Sequence, residues 1–370
     1  MRIKRLQEIM IKKNIDVVLV FSFDVDFNKN IFYFTNYKGI GIFCVLKDNS
    51  FLIVPEMEYE KAKNVFKKVY KAERKKRMLD TLLYLIRNKE LKKVAFDMYE
   101  TNVIIYKKLR NYFSKNFNGV YFEDAEKIFN ELRQIKDENE IRLIKKACSV
   151  VDIVFNKICK NFNFKTEKEL KRFIEFEIRK NNCDLSFEPI VASGKNSSMA
   201  HYNNEKDCRI KDGFLLLDFG AKFNEYCSDM TRMIYIGNPK KDEIENYNLV
   251  LKTIIECEKS VLKEKKFSKI YEKAIKILDE KSKFFTHSLG HGVGLDIHES
   301  PSLNLDDKNI IKDNVVFTIE PGIYFPNKYG IRIEDTIVYR KNKIEVLTKS
   351  KKELIIIKNN LKNSKIKSRY

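Results

Sequence analysis

The chain has 370 residues, 44% of them hydrophobic and 34% charged, and its Lys and Arg exceed its Asp and Glu by a net charge of +20. That length is more than one ordinary compact core and predicts two domains. No run reaches the ~18 consecutive apolar residues of a membrane span, and the N-terminal MRIKRLQEIMIKKN lacks the apolar stretch of a secretory signal, so no membrane role is expected. The basic excess is spread over nearly every segment, whereas a nucleic-acid binder concentrates it in a patch; only 358–370 forms a locally basic tail. Cysteines occur singly at 44, 148, 159, 183, 208, 227 and 257 with no CxxC pair, which suits a reducing, cytoplasmic setting.

In chain order, Ile3, Leu6 and Ile9 predict a helix over 3–13, followed by a strand at 16–21. Strands are predicted at 31–34, 40–46 and 51–54, with a turn at 47–50 between the last two. Helices follow at 56–68 and 78–87, then a strand at 93–97, a helix at 102–113 and a strand at 120–122. This alternation predicts an α/β domain over 1–130. It contains no histidine and no phosphate loop.

A second domain is expected over 131–357. Asp137 with Glu140 is a capping-box pattern opening a helix whose apolar face holds Ile141, Ile144, Cys148, Val151, Phe155 and Ile158. Thr166 with Glu169 repeats the signal before Leu170, Phe173 and Ile174. Strands around 186–193 and a hairpin follow. The order then recurs, with helices over 242–263 and 268–283 and strand-like segments up to Val346. A helix-helix-sheet unit therefore appears twice, as a pseudo-twofold α+β domain.

The acids sit at telling places. In the hairpin formed by 215–220 and 226–232, a turn on Phe223 and Asn224 sets Asp218 opposite Asp229. Opposed residues have Cβ atoms roughly 4.5–5.5 Å apart, and like charges so placed repel. A second strand pair, 315–320 and 331–338, flanks the turn-forming Pro326 to Gly330, and a turn on Asn327 sets Glu320 opposite Glu334. Either pair alone reads equally well as edge-strand or turn acids. Their Val, Ile and Phe neighbours point to burial, and buried carboxylates are paired or coordinate metals.

The four histidines, His201, His287, His291 and His298, all lie beside glycine- or acid-containing segments. His287 and His291 have helical spacing, but Gly290, Gly292 and Gly294 oppose a helix. The stretch 286–299 reads as strand and loop lining a cavity, with glycines allowing close backbone approach. Four carboxylates and one imidazole suit two divalent ions, Mn2+ or Co2+ first, with Zn2+ also compatible. Two such ions about 3.5–4 Å apart need bridging carboxylates and activate a water. That chemistry is hydrolysis.

The ordered set Asp218, Asp229, His291, Glu320 and Glu334 resembles the dinuclear metallopeptidases of the pita-bread fold, the family of methionine aminopeptidase, prolidase and aminopeptidase P. The segments LLDFGAKFNEYCSDMTR (216–232), HSLGHGVGLDIHESP (287–301), FTIEPGIY (317–324) and GIRIEDTI (330–337) are similar to the Xaa-Pro peptidase branch. So are the opening 132–136 and the ending 345–355, and more weakly Asn30 to Thr35 in the N-terminal domain. The resemblance implies a creatinase/prolidase-type N-terminal domain before a pita-bread catalytic domain, and a homodimer. It implies that Asp229 and Glu334 bridge the ions, that Asp218 holds one and that His291 and Glu320 hold the other. Glu320 with His201, His287 and His298 forms the implied catalytic set: Glu320 moves the proton, His298 donates to the carbonyl oxygen or tetrahedral intermediate, and His201 lines the proline side. His287 and Arg332 match pocket-shaping positions, either through hydrogen bonds or by touching substrate.

The implied reaction is removal of an N-terminal residue from short peptides with proline second, as a dipeptidase or an aminopeptidase, by a hydroxide bridging two divalent ions. Alternatives within the fold are a methionine aminopeptidase, a creatinase-like enzyme without the full metal set, and a non-catalytic binding module. Binding modules have typically lost ligands, and all five are present here. Two departures stand out: Ala200 replaces a proline frequent before the histidine, and Asn224 and Glu225 fill a turn often marked by glycine.

Overall fold

The computed structural model describes residues 2–23, 27–72 and 77–358; the basic tail expected from 358 onward lies outside them save for Lys358. The chain divides between Arg133 and Gln134 into two compact units.

The N-terminal unit opens with α1 (Arg2–Lys12), which buries Leu6 and Met10. Its sheet contains β1 (Val17–Ser22), β2 (Gly41–Leu46), β3 (Ser50–Pro55), β4 (Val69–Ala72), β5 (Lys93–Phe96) and β6 (Tyr121–Asp124), in the order β4-β3-β2-β1-β5-β6. Every residue of β1 and β2 is buried, as in strands covered on both faces. The helices are α2 (Lys29–Thr35), α3 (Tyr59–Lys63), α4 (Met78–Ile86), α5 (Val103–Asn116) and α6 (Glu126–Gln134).

Two expectations fail here. Residues 31–34 are helical in α2, although Ile31, Phe32, Tyr33 and Phe34 suit a strand. The ends decide it: the Asn28 side chain accepts hydrogen bonds from the amides of Asn30 and Ile31, and Asn36 closes the helix at φ 59°. The helix expected over 56–68 shrinks to a 3-10 turn and α3, because the chain turns back to form β4 beside β3.

The second unit begins with α7 (Glu138–Lys160) and α8 (Glu167–Lys180). Asp137 accepts from the Glu140 amide at 2.9 Å and the Glu140 carboxylate accepts from the Asp137 amide at 2.8 Å, so the expected capping box forms. Short β7 (Asp184–Leu185) and β8 (Ile190–Ser193) lead to β9 (Gly213–Asp218), β10 (Ala221–Phe223), β11 (Tyr226–Cys227) and β12 (Thr231–Ile236). The helix pair then recurs as α9 (Lys241–Ser260) and α10 (Phe267–Leu278). It precedes β13 (His291–Gly292), β14 (Glu299–Ser302), β15 (Val315–Ile319), β16 (Gly322–Phe325), β17 (Tyr329–Arg332), β18 (Asp335–Arg340), β19 (Lys343–Val346) and β20 (Ile355–Ile357).

The sheets are ordered β20-β12-β9-β8 and β14-β13-β15-β18-β19, with β16-β17 as a ribbon. The run Phe214 to Leu217 is apolar at every position because β9 has a helix layer on each side. Leu215 and Leu217 pack with Phe155, Leu170 and Ile174 of α7 and α8, while Phe214 and Leu216 pack with Tyr247, Ile254 and Phe267 of α9 and α10. Successive strand residues point to opposite faces, so one strand serves two cores.

The first hairpin differs from its expected register. Asp218 faces Thr231, not Asp229, because the turn sits one residue later, on Asn224 (φ 48°) and Glu225 (φ 71°). Positive φ at both central residues is what a two-residue turn of type I′ requires. The second register is as expected. Ile319 faces Asp335 and Gly322 faces Arg332, and Glu320 and Glu334 fall opposite each other in the gap between those two ladders.

Candidate metal centre

Strand ends, one glycine-rich loop and, for His201, the segment between β8 and β9 bring all nine residues singled out from the sequence to one cavity. Asp218 ends β9, Asp229 precedes β12, His291 opens β13, and Glu320 and Glu334 lie in the gap just described. These five line a cavity of about 630 Å³ together with His201, His287, His298 and Arg332. Glycine is required beside His291: a Cβ on Gly290 would lie 2.1 Å from the Thr318 carbonyl oxygen, and one on Gly292 would lie 2.2 Å from that of Ser300. The loop thus presses against two neighbouring backbones, as expected of residues that bring His291 to the floor.

The His291 Nε2 lies 3.5 Å from the Asp229 carboxylate and 3.4 Å from that of Glu320. Asp229, His291 and Glu334 each offer a ligand atom within 4.8 Å of the others. The His291 Nδ1 lies 3.2 Å from the Gly292 carbonyl oxygen, which can only accept, so Nδ1 carries the hydrogen and the Nε2 lone pair faces the acids. Burial, then the neighbouring His298, lowers the pKa of His291 to about 3. The neutral ring is the metal-ligating form.

The acids are strained by one another. Burial, and then the charges of Glu334, Asp218 and Glu320, push the Asp229 carboxyl well above its usual range. Glu334 is raised by burial and by Glu320 and Asp218. Burial pushes Glu320 up to about 8 against the opposing pull of Arg332. Among the described residues, Oδ1 of Asp218 and Oδ1 of Asp229 are buried with no hydrogen-bond partner. Buried acceptors rarely stay unsatisfied, and these point into a set of oxygens and one imidazole. Such a set fits divalent cations of borderline hardness, which also invert the local pKa logic.

A layer of polar residues fixes the acids. Arg332, 3% exposed, donates to Asp218 at 2.5 Å, to the Tyr324 hydroxyl at 2.7 Å, to Thr231 Oγ1 at 3.1 Å and to the Ala200 carbonyl at 3.2 Å. The Thr231 hydroxyl in turn donates to Glu334 at 2.8 Å, and the Thr336 hydroxyl donates to the Asp229 carbonyl at 2.7 Å. The Tyr324 hydroxyl donates to His287 Nε2 at 2.9 Å while Nδ1 of that ring donates to the Ser288 carbonyl at 2.7 Å. Burial and the nearby Arg332 lower His287 to about 4, so it is neutral. The rings of His291 and His298 meet edge to face, 4.3 Å between centroids. His298 and His201 are exposed on the cavity wall.

Sequence reasoning missed Thr231, Tyr324, Thr336 and the buried Arg232, whose guanidinium donates to the carbonyls of Glu334 and Ser350 and to Asp335. A signal was available: Thr231 and Thr336 each lie two residues from an acid, hence on its side of the strand.

Comparisons with known proteins identify the family. The chain is 34% identical over 362 residues to the Xaa-Pro dipeptidase of Pyrococcus furiosus, covering 96% of this chain and 99% of that one. The crystal structure of the prolidase from Pyrococcus horikoshii matches with a TM-score of 0.85 and 31% identity, over 96% of this chain and 99% of that one. The Xaa-Pro dipeptidase from Bacillus anthracis matches with a TM-score of 0.87 and 29% identity, over 96% and 99%. Residues 2–135 match the creatinase/prolidase N-terminal domain. Since residues 142–341, which contain every one of the clustered acids and histidines, match the model of metallopeptidase family M24, the chain belongs to that family.

Proposed function

We propose that the chain is a proline-specific metallo-exopeptidase that hydrolyses the bond between an N-terminal residue and proline. The single observation that carries this reading is the pair of buried, partnerless carboxylate oxygens on Asp218 and Asp229 inside a cluster of acids and one neutral histidine. Membership of the family implies divalent metal ions. Two of them, Mn2+ or Co2+ first and Zn2+ next, would be held by Asp218, Asp229, His291, Glu320 and Glu334, with Asp229 and Glu334 shared. When bound, the ions supply Lewis-acid polarisation of the scissile carbonyl and acidify a water.

The chain's own groups do the rest. Glu320 takes the proton of the attacking water and passes it to the leaving nitrogen; proline leaves as a secondary amine that needs that proton. His298, exposed beside His291, donates to the carbonyl oxygen as negative charge develops there. Arg332 holds Asp218 in place. Neutral His287 and exposed His201 face the proline side. The Xaa-Pro dipeptidase activity for which the two Pyrococcus relatives are named supports dipeptides as substrates.

Seven cysteines, none of them in a disulfide among the described residues, support a reducing, cytoplasmic compartment, and no described helix is long and apolar enough to cross a membrane. A homodimer is proposed from family resemblance. The test compares Ala-Pro, Ala-Pro-Ala and Met-Ala-Ala with protein reconstituted in Mn2+, Co2+ or Zn2+. Cleavage of Ala-Pro with Met-Ala-Ala intact is expected. No cleavage of any Xaa-Pro peptide while both metal positions are filled sinks the reading, and preference for Met-Ala-Ala replaces it with a methionine aminopeptidase.

A further inference from the structure

Helix α8 starts with a carboxylate that points inward. Glu167 is fully buried, and among the described residues no lysine, arginine or histidine pairs with it. Its four hydrogen bonds all come from one stretch of chain. Oε1 accepts from the Ser193 amide at 2.7 Å and Asn196 Nδ2 at 2.9 Å, and Oε2 accepts from the Tyr202 hydroxyl at 2.9 Å and Asn204 Nδ2 at 3.4 Å. Asn196 also donates to the Tyr202 oxygen at 3.0 Å. These donors bracket His201. On its other side the same stretch is tied to β17, since Ser197 accepts from the Gly330 amide at 2.9 Å and the Ala200 carbonyl accepts from Arg332.

No side-chain hydrogen bond holds the His201 imidazole among the described residues. Its position in the cavity wall is therefore set by the backbone of 193–204. An apolar residue at 167 would fill the same space, but it would orient nothing. Four directional bonds to one carboxylate fix the stretch, and a buried network of this kind acts as a unit.

We propose that Glu167 is a positioning residue for substrate selection, holding the 193–204 stretch so that His201 meets the residue after the scissile bond. This inference rests on the Xaa-Pro reading above.

The experiment is a double-mutant cycle. Glu167→Gln is made in the wild type and in His201→Ala, and KM and kcat for Ala-Pro are measured with Mn2+ content per chain. Residues in one network show coupling of this size, so KM is expected to rise roughly tenfold in the wild-type background and less than about twofold when His201 is already gone. Mn2+ content and kcat of Glu167→Gln are expected to hold. Amide hydrogen exchange over 194–204 should accelerate while α7 stays protected. Should Glu167→Gln not fold, Tyr202→Phe, which removes one donor and no charge, completes the same cycle.

An equal KM rise in both backgrounds, loss of Mn2+, or unchanged exchange over 194–204 overturns the proposal. Failure of the wild-type protein to cleave Ala-Pro instead overturns the substrate reading, and the exchange measurement then still decides whether Glu167 clamps the stretch.

Discussion

Glu320 is the residue on which two of the expectations meet. As the proposed proton carrier it is worth roughly 10²–10⁴-fold in rate, so Glu320→Gln should lower kcat by that much while the circular dichroism spectrum stays near wild type. An unaltered kcat would remove it from the mechanism. Its titration gives a second prediction. In the metal-free protein Glu320 is raised to about 8, above the ordinary glutamate value of about 4.3. Between those values the folded state holds a proton that the unfolded state has lost, so stability is full below about pH 4.3 and falls as pH rises toward 8. Asp229 and Glu334 are raised in the same direction. Thermal melts of metal-free protein should therefore fall from pH 5 to pH 8, and added Mn2+ should raise the melting temperature more at pH 8, where fewer protons must be displaced. A larger Mn2+ effect at pH 5 would contradict the shared carboxylate cluster. At this scale the sequence was legible where chemistry is scarce: four histidines in 370 residues, all of which line the cavity. Threonines and arginines are common, so Thr231 stood out only by its place two residues from Asp229, and Arg232 only by its contacts.

Elements were legible where a local pattern decides them and obscure where the partner lies far away. The capping box at Asp137 and Glu140 fixed the start of α7. The four-residue β4 was missed because its stability comes from pairing with β3, not from its own Val69-Tyr70-Lys71-Ala72. Composition misled at α2, where Asn28 and Asn36 outvoted an aromatic run. The β10–β11 turn yields a prediction of its own. Glu225 sits at φ 71°, a conformation costing a residue with a Cβ about 1–2 kcal/mol, whereas glycine adopts it freely. Glu225→Gly should therefore stabilise the protein by about 1 kcal/mol, read as a higher urea midpoint. A lower midpoint would mean that the Glu225 side chain outweighs the backbone cost.

Over the whole molecule, alternation of strands and helices anticipated an α/β unit followed by a repeated helix-helix-sheet unit, and the net charge of +20 explained nothing about the site. What the sequence could not announce is the ionic tie between the halves of the second unit. Arg232 on β12 donates to Asp335 on β18 at 2.6 Å; Lys352, in the segment before β20, reaches Asp335 at 2.6 Å and Glu258 on α9 at 2.8 Å. Asp335 is fully buried, and attraction to Arg232 and Lys352 holds its carboxyl below the usual range despite the burial. These four residues span more than a hundred positions, so no window of sequence contains them. Removing one partner of a buried pair strands the others. Asp335→Asn should cost about 3 kcal/mol in chemical denaturation, and a loss below measurement would show that the tie is dispensable.

The strand with a helix layer on each flank, β9, has a consequence for how such a molecule can diversify. A wall shared by two cores cannot be tilted toward either without opening a gap in the other, so the Asp218 at its end is held fast. The segment bearing His201 hangs outside that wall on a handful of polar ties. On the proposed reading, coordination and selectivity thus sit on separate parts of the structure, and a designer seeking a new specificity would rewrite 194–204 and leave the strand alone.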